Sequence, residues 1–323
     1  MVNRAAHYTR HVVMGLVWVL ASAPAASDPV TESGRAGSAS RHLNAGAFQD
    51  AVLHYRASKF FISADSRVTQ RWLDPELAAR QLYPAGNGQA NAGLAPQGPV
   101  AYMGVESDVI GRKTLAEAWL RPDGEVLQRT SIRLNHKHRA RLYRFTPERV
   151  WSLKRYPVSE AEQSQPWPMW SRTESEWFDL PDHPRPLTRG EGLFYLAVTA
   201  RLNQSGDRWH GTLFDSDGLM DLTLEVAGKT RVSVDFEEAG SGAAQRVDQS
   251  LPVLRIQARV TPRDAAVDAR NFSFLGLKGG VTLYVDPVRH LIVQLEGKAD
   301  VLGEVTIRLQ QVQWRHNPVQ VPE

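Results

Sequence analysis

From Val100 onward, hydrophobic and polar residues alternate with a period of two, the spacing of strands that bury one face. Residues 115–120 and 126–134, joined by Pro122-Asp123-Gly124, predict a hairpin in which Val126, Ile132 and Leu134 share a face with Gln128 and Thr130. Asn135-His136-Lys137-His138 forms the next turn and residues 139–145 return. Thr146-Pro147-Glu148 then turns into residues 150–156, so neighbour pairs with neighbour in a meander.

The alternation resumes after Trp209. Leu222, Leu224 and Val226 lead to a turn at Ala227-Gly228-Lys229, followed by Val232, Val234 and Phe236, with a polar loop at 237–249. Further strands carry Leu254, Ile256, Ala258 and Val260; Val281, Leu283 and Val285; Leu291, Val293 and Leu295; and Val305, Ile307 and Leu309. Their opposite positions hold Thr282, Gln294, Thr306, Arg308 and Gln310, so one face is expected to be wet.

Helical spacing is rare. Thr188 and Glu191 stand three apart as a capping box ahead of Leu193, Leu196, Ala197, Ala200 and Leu202, predicting a helix over 188–203. Asp74-Pro75-Glu76 predicts a second helix start, with Asp74 as N-cap. Residues 51–62 suit a strand, and 84–99, rich in Ala, Gly, Asn, Gln and Pro, suits a linker. Residues 157–186 hold Trp167, Trp170, Trp177 and Phe178 and predict an ordered excursion over the sheet, because disordered segments are poor in aromatics.

The fold expected is mainly β: a large curved antiparallel sheet, a half-barrel or open barrel, with one covering helix and a short α-containing amino-terminal segment. The divisions are a signal peptide 1–25, a flexible arm 26–50, a segment and linker 51–99, the β domain 100–315 and a tail 316–323.

Composition sharpens this picture. Arg4, Arg10, His7 and His11 precede the short apolar run 12–20 and the small residues Ala23-Pro24-Ala25, the pattern of an export signal cleaved near Ala25. The expected location is therefore the periplasm or outside the cell. Arg4 and Arg10 leave with the leader, so 38 basic against 35 acidic residues becomes a net charge of +1, which argues against nucleic acid as a partner. The absence of cysteine excludes disulfides, thiolate metal sites and a cysteine nucleophile.

Candidate chemistry is sparse. His136 and His138 are spaced for one face of a strand, but Arg133, Arg139 and Arg141 would repel a cation there. Asp215, Asp217, Gly218 and Asp221 approach a calcium loop without its terminal glutamate, and a hairpin turn is the simpler reading. Ser241 lies in no nucleophile elbow, and the adjacent Glu237 and Glu238 would point to opposite faces of a strand. No catalytic residue, metal ligand or cofactor is assigned. The densest positive region, Arg133, Lys137, Arg139, Arg141 and Arg144, suits a peripheral contact with an anionic membrane surface. Trp167, Trp170, Trp177 and Tyr195 are the candidate ligand-binding residues, as amphipathic rings that line boundaries between wet and dry surfaces.

The run GRKTLAEAWLRPDGEVLQRTSIRLNHKHRARLYRFTPERVWSLKRYP, the helix after it and the ending GGVTLYVDPVRHLIVQLEGKADVLGEVTIRL resemble an uncharacterised family of exported bacterial β-rich proteins, a domain of unknown function. The resemblance spans about residues 100–312 and rests on strand order with Gly111, Gly279, Val288 and Gly303. It implies a distant similarity to periplasmic lipoprotein-carrier-like half-barrels, which hold acyl chains. The function expected is non-enzymatic binding of an apolar or amphipathic ligand, a lipid or a lipidated envelope protein, in the curved sheet. The alternatives are an envelope hydrolase acting on lipid or glycan, and a scaffold that pairs through a sheet edge.

Overall fold

The computed structural model describes residues 43–59, 62–86, 93–109, 112–134, 138–215, 218–240, 242–264, 272–299 and 302–315. The expected leader, the arm as far as residue 42, Gly111 and the tail 316–323 lie outside the described residues.

Among the described residues sixteen strands form one curved sheet that stays open rather than closing into a barrel. The meander comprises β1 (Ala51–Lys59), β2 (Ile62–Leu73), β3 (Val100–Val109), β4 (Arg112–Leu120), β5 (Val126–Arg133), β6 (Arg139–Phe145), β7 (Arg149–Tyr156) and β8 (Arg172–Asp179), each antiparallel to the next. The other half holds β9 (Leu187–Thr188), β10 (Arg208–Asp215), β11 (Gly218–Ala239), β12 (Gln245–Pro262), β13 (Ser273–Phe274), β14 (Leu277–Asp286), β15 (Leu291–Ala299) and β16 (Gly303–Trp314). The halves meet where β1 pairs with β16, so β8 and β9 are the two edges. Helices are few: α1 (Pro75–Gln81), α2 (Glu160–Gln163) and α3 (Gly192–Thr199).

β1 and β2, expected to belong to a segment apart from the β domain, are interior strands. Ala51 faces Trp314 on one side and Gln70 on the other. The sheet is also not antiparallel throughout. Thr212 and Leu213 pair in parallel with Leu187 and Thr188, and residues 237–239 run parallel to 311–313.

The second parallel contact arises because the chain does not turn at 227–229. Gly228, at φ +150°, absorbs a bulge between Val226 and Gly228, and the strand continues to Ala239, 22 residues in all. Much of the expected polar loop 237–249 is therefore paired strand. Phe236 sits opposite Val247, with both side chains buried. Glu238 fastens the tip of this arm, accepting hydrogen bonds from Trp314 Nε1 at 2.8 Å and Arg289 Nε at 3.1 Å.

α1 follows the sequence closely: Asp74 Oδ1 accepts from the Leu77 amide at 2.7 Å. α3 is shorter than the 188–203 helix expected, and its capping box is not formed. Thr188 is committed to β9, and the Glu191 carboxylate turns to Arg129 at 2.8 Å, so strand pairing and a buried ion pair displace the local cap. All eight residues of α3 are buried, so it fills the sheet's inner face rather than lying over it as a lid. Phe194 meets Phe274 at 5.0 Å and Tyr195 meets Phe48 at 5.1 Å, while Ala51, Ala57, Ala101 and Ala118 make room on the strands around them.

The opposite face is not simply wet. α1 and the segment after it cover β3 to β7 there, burying Leu73, Ala78, Val100, Trp119 and Leu127 with help from Leu82 and Leu94. The buried Arg144 guanidinium pins this cover, donating to the carbonyls of Tyr83 (3.0 Å), Leu94 (2.6 Å) and Leu127 (2.6 Å). The described part of the expected linker is thus docked onto the sheet.

Candidate functional site

Strand register arranges the inner face of β5 to β8 in rows. At the base, Phe145, Val150 and Phe178 stand side by side and join Val126, Phe214 and Leu219 in a small apolar cluster. The next row holds Arg129, Tyr143, Ser152 and Glu176, and the one after it Ser131, Arg141, Lys154 and Glu174. At the rim Arg133 lies opposite Arg139, and Tyr156 opposite Arg172, whose guanidinium is 5.1 Å from the tyrosine ring.

Charge on this face is unbalanced. Six cations (Arg129, Arg133, Arg139, Arg141, Lys154, Arg172) meet three carboxylates (Glu174, Glu176, Glu191), an excess of three positive charges. The carboxylates serve only some of them: Arg129 pairs with Glu191, Lys154 with Glu176 at 3.1 Å, and Arg172 with Glu174 at 3.1 Å. Among the described residues no carboxylate pairs with Arg133, Arg139 or Arg141. Arg141 donates to the Tyr143 hydroxyl at 2.9 Å, and its buried Nε has no hydrogen-bond partner among the described residues. Partial burial, and then the guanidinium groups of Arg139, Arg141 and Arg129, push Arg133 below the ordinary arginine range. Planar guanidinium groups so placed are suited to bidentate capture of a phosphate or carboxylate.

Behind this face lies a charge cluster that is structural. Glu191 is the N-cap residue of α3, and its carboxylate joins Arg129, while Arg189 donates to the Phe214 carbonyl at 2.6 Å and stands 3.5 Å from Asp215. Its guanidinium carbon sits 4.5 Å from the Tyr143 ring.

The candidate tryptophans lie on the opposite face. Trp151, Leu153 and Arg155 of β7, with Ser175 and Thr173 opposite the last two on β8, form the floor of an open cleft of about 360 Å³, walled by Tyr83 and Pro84. Trp167 packs against Tyr83 at 5.7 Å, and Trp177 lies under the Arg149 guanidinium at 4.7 Å, so both flank this cleft. Trp170 is buried against Ile132 and Ala140. Tyr195 is not with them: it belongs to the main core, its hydroxyl donating to the Pro122 carbonyl at 2.6 Å.

Of the basic stripe, Arg133, Arg139 and Arg141 share the inner face, Arg144 is the buried clamp on the other, and Lys137 lies outside the described residues, as do His136, Asp217 and Ser241. His138 stands edge-on to Trp170 at 6.2 Å. Asp215 pairs with Gly218 in the register of a hairpin, and Asp221 binds Arg263 at 2.6 Å. Among the described residues no three His, Asp or Glu side chains are grouped to hold a metal ion. Arg129 and Lys154 are missing from the stripe read in the sequence; the period-two series Arg129, Ser131 and Arg133 carries the signal for the first, while Lys154 joins the face only through the register of β6 with β7.

No family model matches this chain, and no curated protein or solved structure matches it either.

Proposed function

We propose that this is an exported, periplasmic, non-enzymatic binding protein that holds the anionic head of an amphipathic molecule, a lipid or lipidated partner, on the inner face of β5 to β8. The observation that carries the reading is the pair Arg133 and Arg139, like charges directly opposite each other with no carboxylate partner among the described residues. Such a pair opposes folding and is relieved when an anion bridges it. The base row is closed, with Phe145 and Val150 fully buried against Phe214 and Leu219, so the reading rests on the charged rows above it. Because α3 fills the sheet beside β3, β14 and β15, the ligand belongs at the β5 to β8 end rather than beneath the helix.

Isothermal titration with dihexanoyl phosphatidylglycerol, below the concentration at which it forms micelles, tests this. Saturable binding that is lost in Arg133→Glu/Arg139→Glu is the expected result. Absence of binding, or equal affinity for the zwitterionic phosphatidylcholine analogue, overturns it.

A second reading is favoured by the edges. β9 is two residues long, whereas β8 runs for eight residues without a proline, the kind of edge that accepts a partner strand. A stoichiometric envelope partner that is released by Ser175→Pro is its test.

A further inference from the structure

Past the cationic rim, the same end of the sheet finishes in exposed apolar side chains. Leu134, directly after Arg133, is 45% exposed; Val158, two residues beyond Tyr156, is 64% exposed; Met169, three residues before Arg172, is 67% exposed. Only two other large apolar side chains among the described residues are exposed, Leu77 and Val288, so the three are concentrated here.

Contacts hold them together. Trp170, adjacent to Met169, packs against Ile132, two residues before Leu134. The amides of Val158 and Ser171 both donate to Glu162 Oε2, at 3.0 and 3.1 Å, which ties the Val158 segment to the chain that follows Met169. Beside these tips stand Arg133, Arg139 and Arg172 with the amphipathic rings of Tyr156 and Trp167.

Exposed aliphatic tips alone suit many surfaces. Their interleaving with guanidinium groups and aromatic rings at one edge matches the layers of a bilayer surface: acyl chains below, phosphates at the level of the charges, and rings between. Charge complementarity favours an anionic lipid, since Arg133 and Arg139 have no carboxylate partner among the described residues while Glu162 and Glu174 at this edge are held by the Val158 and Ser171 amides and by Arg172.

We infer that this end of the sheet docks on an anionic lipid bilayer, inserting Leu134, Val158 and Met169 while Arg133, Arg139 and Arg172 lie on lipid phosphates. The inference extends the function proposed above, since an edge seated on the bilayer brings the face behind it to the amphiphiles it holds.

Vesicle flotation of the full chain separates the two. The wild type is expected to float with phosphatidylcholine vesicles containing about one third phosphatidylglycerol, to stay behind with phosphatidylcholine alone, and to detach as salt is raised. Leu134→Ser/Val158→Ser/Met169→Ser is expected to lose about tenfold or more in partitioning, with an unchanged thermal melt and unchanged affinity for dihexanoyl phosphatidylglycerol. Arg133→Glu/Arg139→Glu is expected to lose both. A wild type that ignores anionic vesicles, or a triple serine variant that floats like the wild type, overturns the docking edge. Flotation that depends on the three apolar residues without any binding of the soluble lipid upholds the edge and overturns only the ligand face.

Discussion

Arg133 and Arg139 are direct cross-strand partners on the inner face of β5 and β6, a juxtaposition of like charges at the tip of the meander. Side chains directly opposite in an antiparallel pair are the closest neighbours on a sheet face, so this pair weakens the hairpin it belongs to. Arg139→Glu turns repulsion into attraction and is expected to raise stability by about 0.2–1 kcal/mol, read as a higher urea midpoint. The same change is expected to weaken binding of dihexanoyl phosphatidylglycerol at least tenfold. Unchanged stability and unchanged binding would mean the pair is merely solvated.

The largely buried pair Arg129 and Glu191, whose side chains are 17% and 12% exposed, is expected to be far less tolerant. Replacing either by alanine strands the other charge, which costs about 3–5 kcal/mol. Burial pushes the Glu191 carboxyl up, but the Arg129 guanidinium and its hydrogen bond, with Arg189 nearby, outweigh burial and hold it below its ordinary value of 4.5. A carboxyl depressed in the folded state contributes its stability in full above that ordinary value and loses it as pH falls through the folded value. Urea titrations across this acid range are expected to show a steeper loss of stability in the wild type than in Glu191→Gln.

Gly192 opens α3 at a point where no side chain fits. A Cβ there would collide with Thr188 Oγ1 and approach Leu120 Cδ2 to 3.0 Å. Gly192→Ala is expected to cost about 1–3 kcal/mol. Thr188→Ala removes a buried hydroxyl that has no hydrogen-bond partner among the described residues and leaves the new methyl 3.6 Å from the Cβ of residue 188, with only the flexible end of Leu120 still close, so the double variant is expected to recover most of the loss. Additive melting shifts would contradict this.

Arg144 holds the α1 segment to the sheet with a charge that has three carbonyls and, among the described residues, no carboxylate. Burial, and then Arg121, pushes its guanidinium down to about 10. Arg144→Met leaves the carbonyls of Tyr83, Leu94 and Leu127 unsatisfied, an expected cost of roughly 2–4 kcal/mol. Hydrogen exchange checks it, because the Leu94 amide, which donates to the Phe145 carbonyl at 2.7 Å, should lose protection before the strands do.

The strands could be read from sequence wherever one face alone is buried, as in the alternating Val305, Ile307 and Leu309 of β16. Reading failed where tertiary partners outbid local chemistry. Thr188 and Glu191 spell a cap, yet a strand and an arginine distant in sequence take them. Gly228 spells a turn, but a glycine at φ +150° serves a bulge equally well. β2 was missed because Arg67, Thr69 and Arg71 give one side of it a polar look, while the buried side contains Gln70, whose amide donates to the Gln49 carbonyl at 2.7 Å. The candidate site was half visible: Arg133, Arg139 and Arg141 were found as a stripe, but only the register shows that Arg144 leaves them for the other face.

The seam between β1 and β16 has a consequence for biosynthesis. Each strand of the meander finds its neighbour soon after it is made, but β1 keeps one flank bare until residues 303–314 emerge. The two wings of the sheet can therefore mature separately, and their joining is the latest and most non-local event in the folding of the chain. Until then the unpaired flank of β1, which includes the buried Leu53 and Tyr55, is the part of the nascent chain most in need of a chaperone.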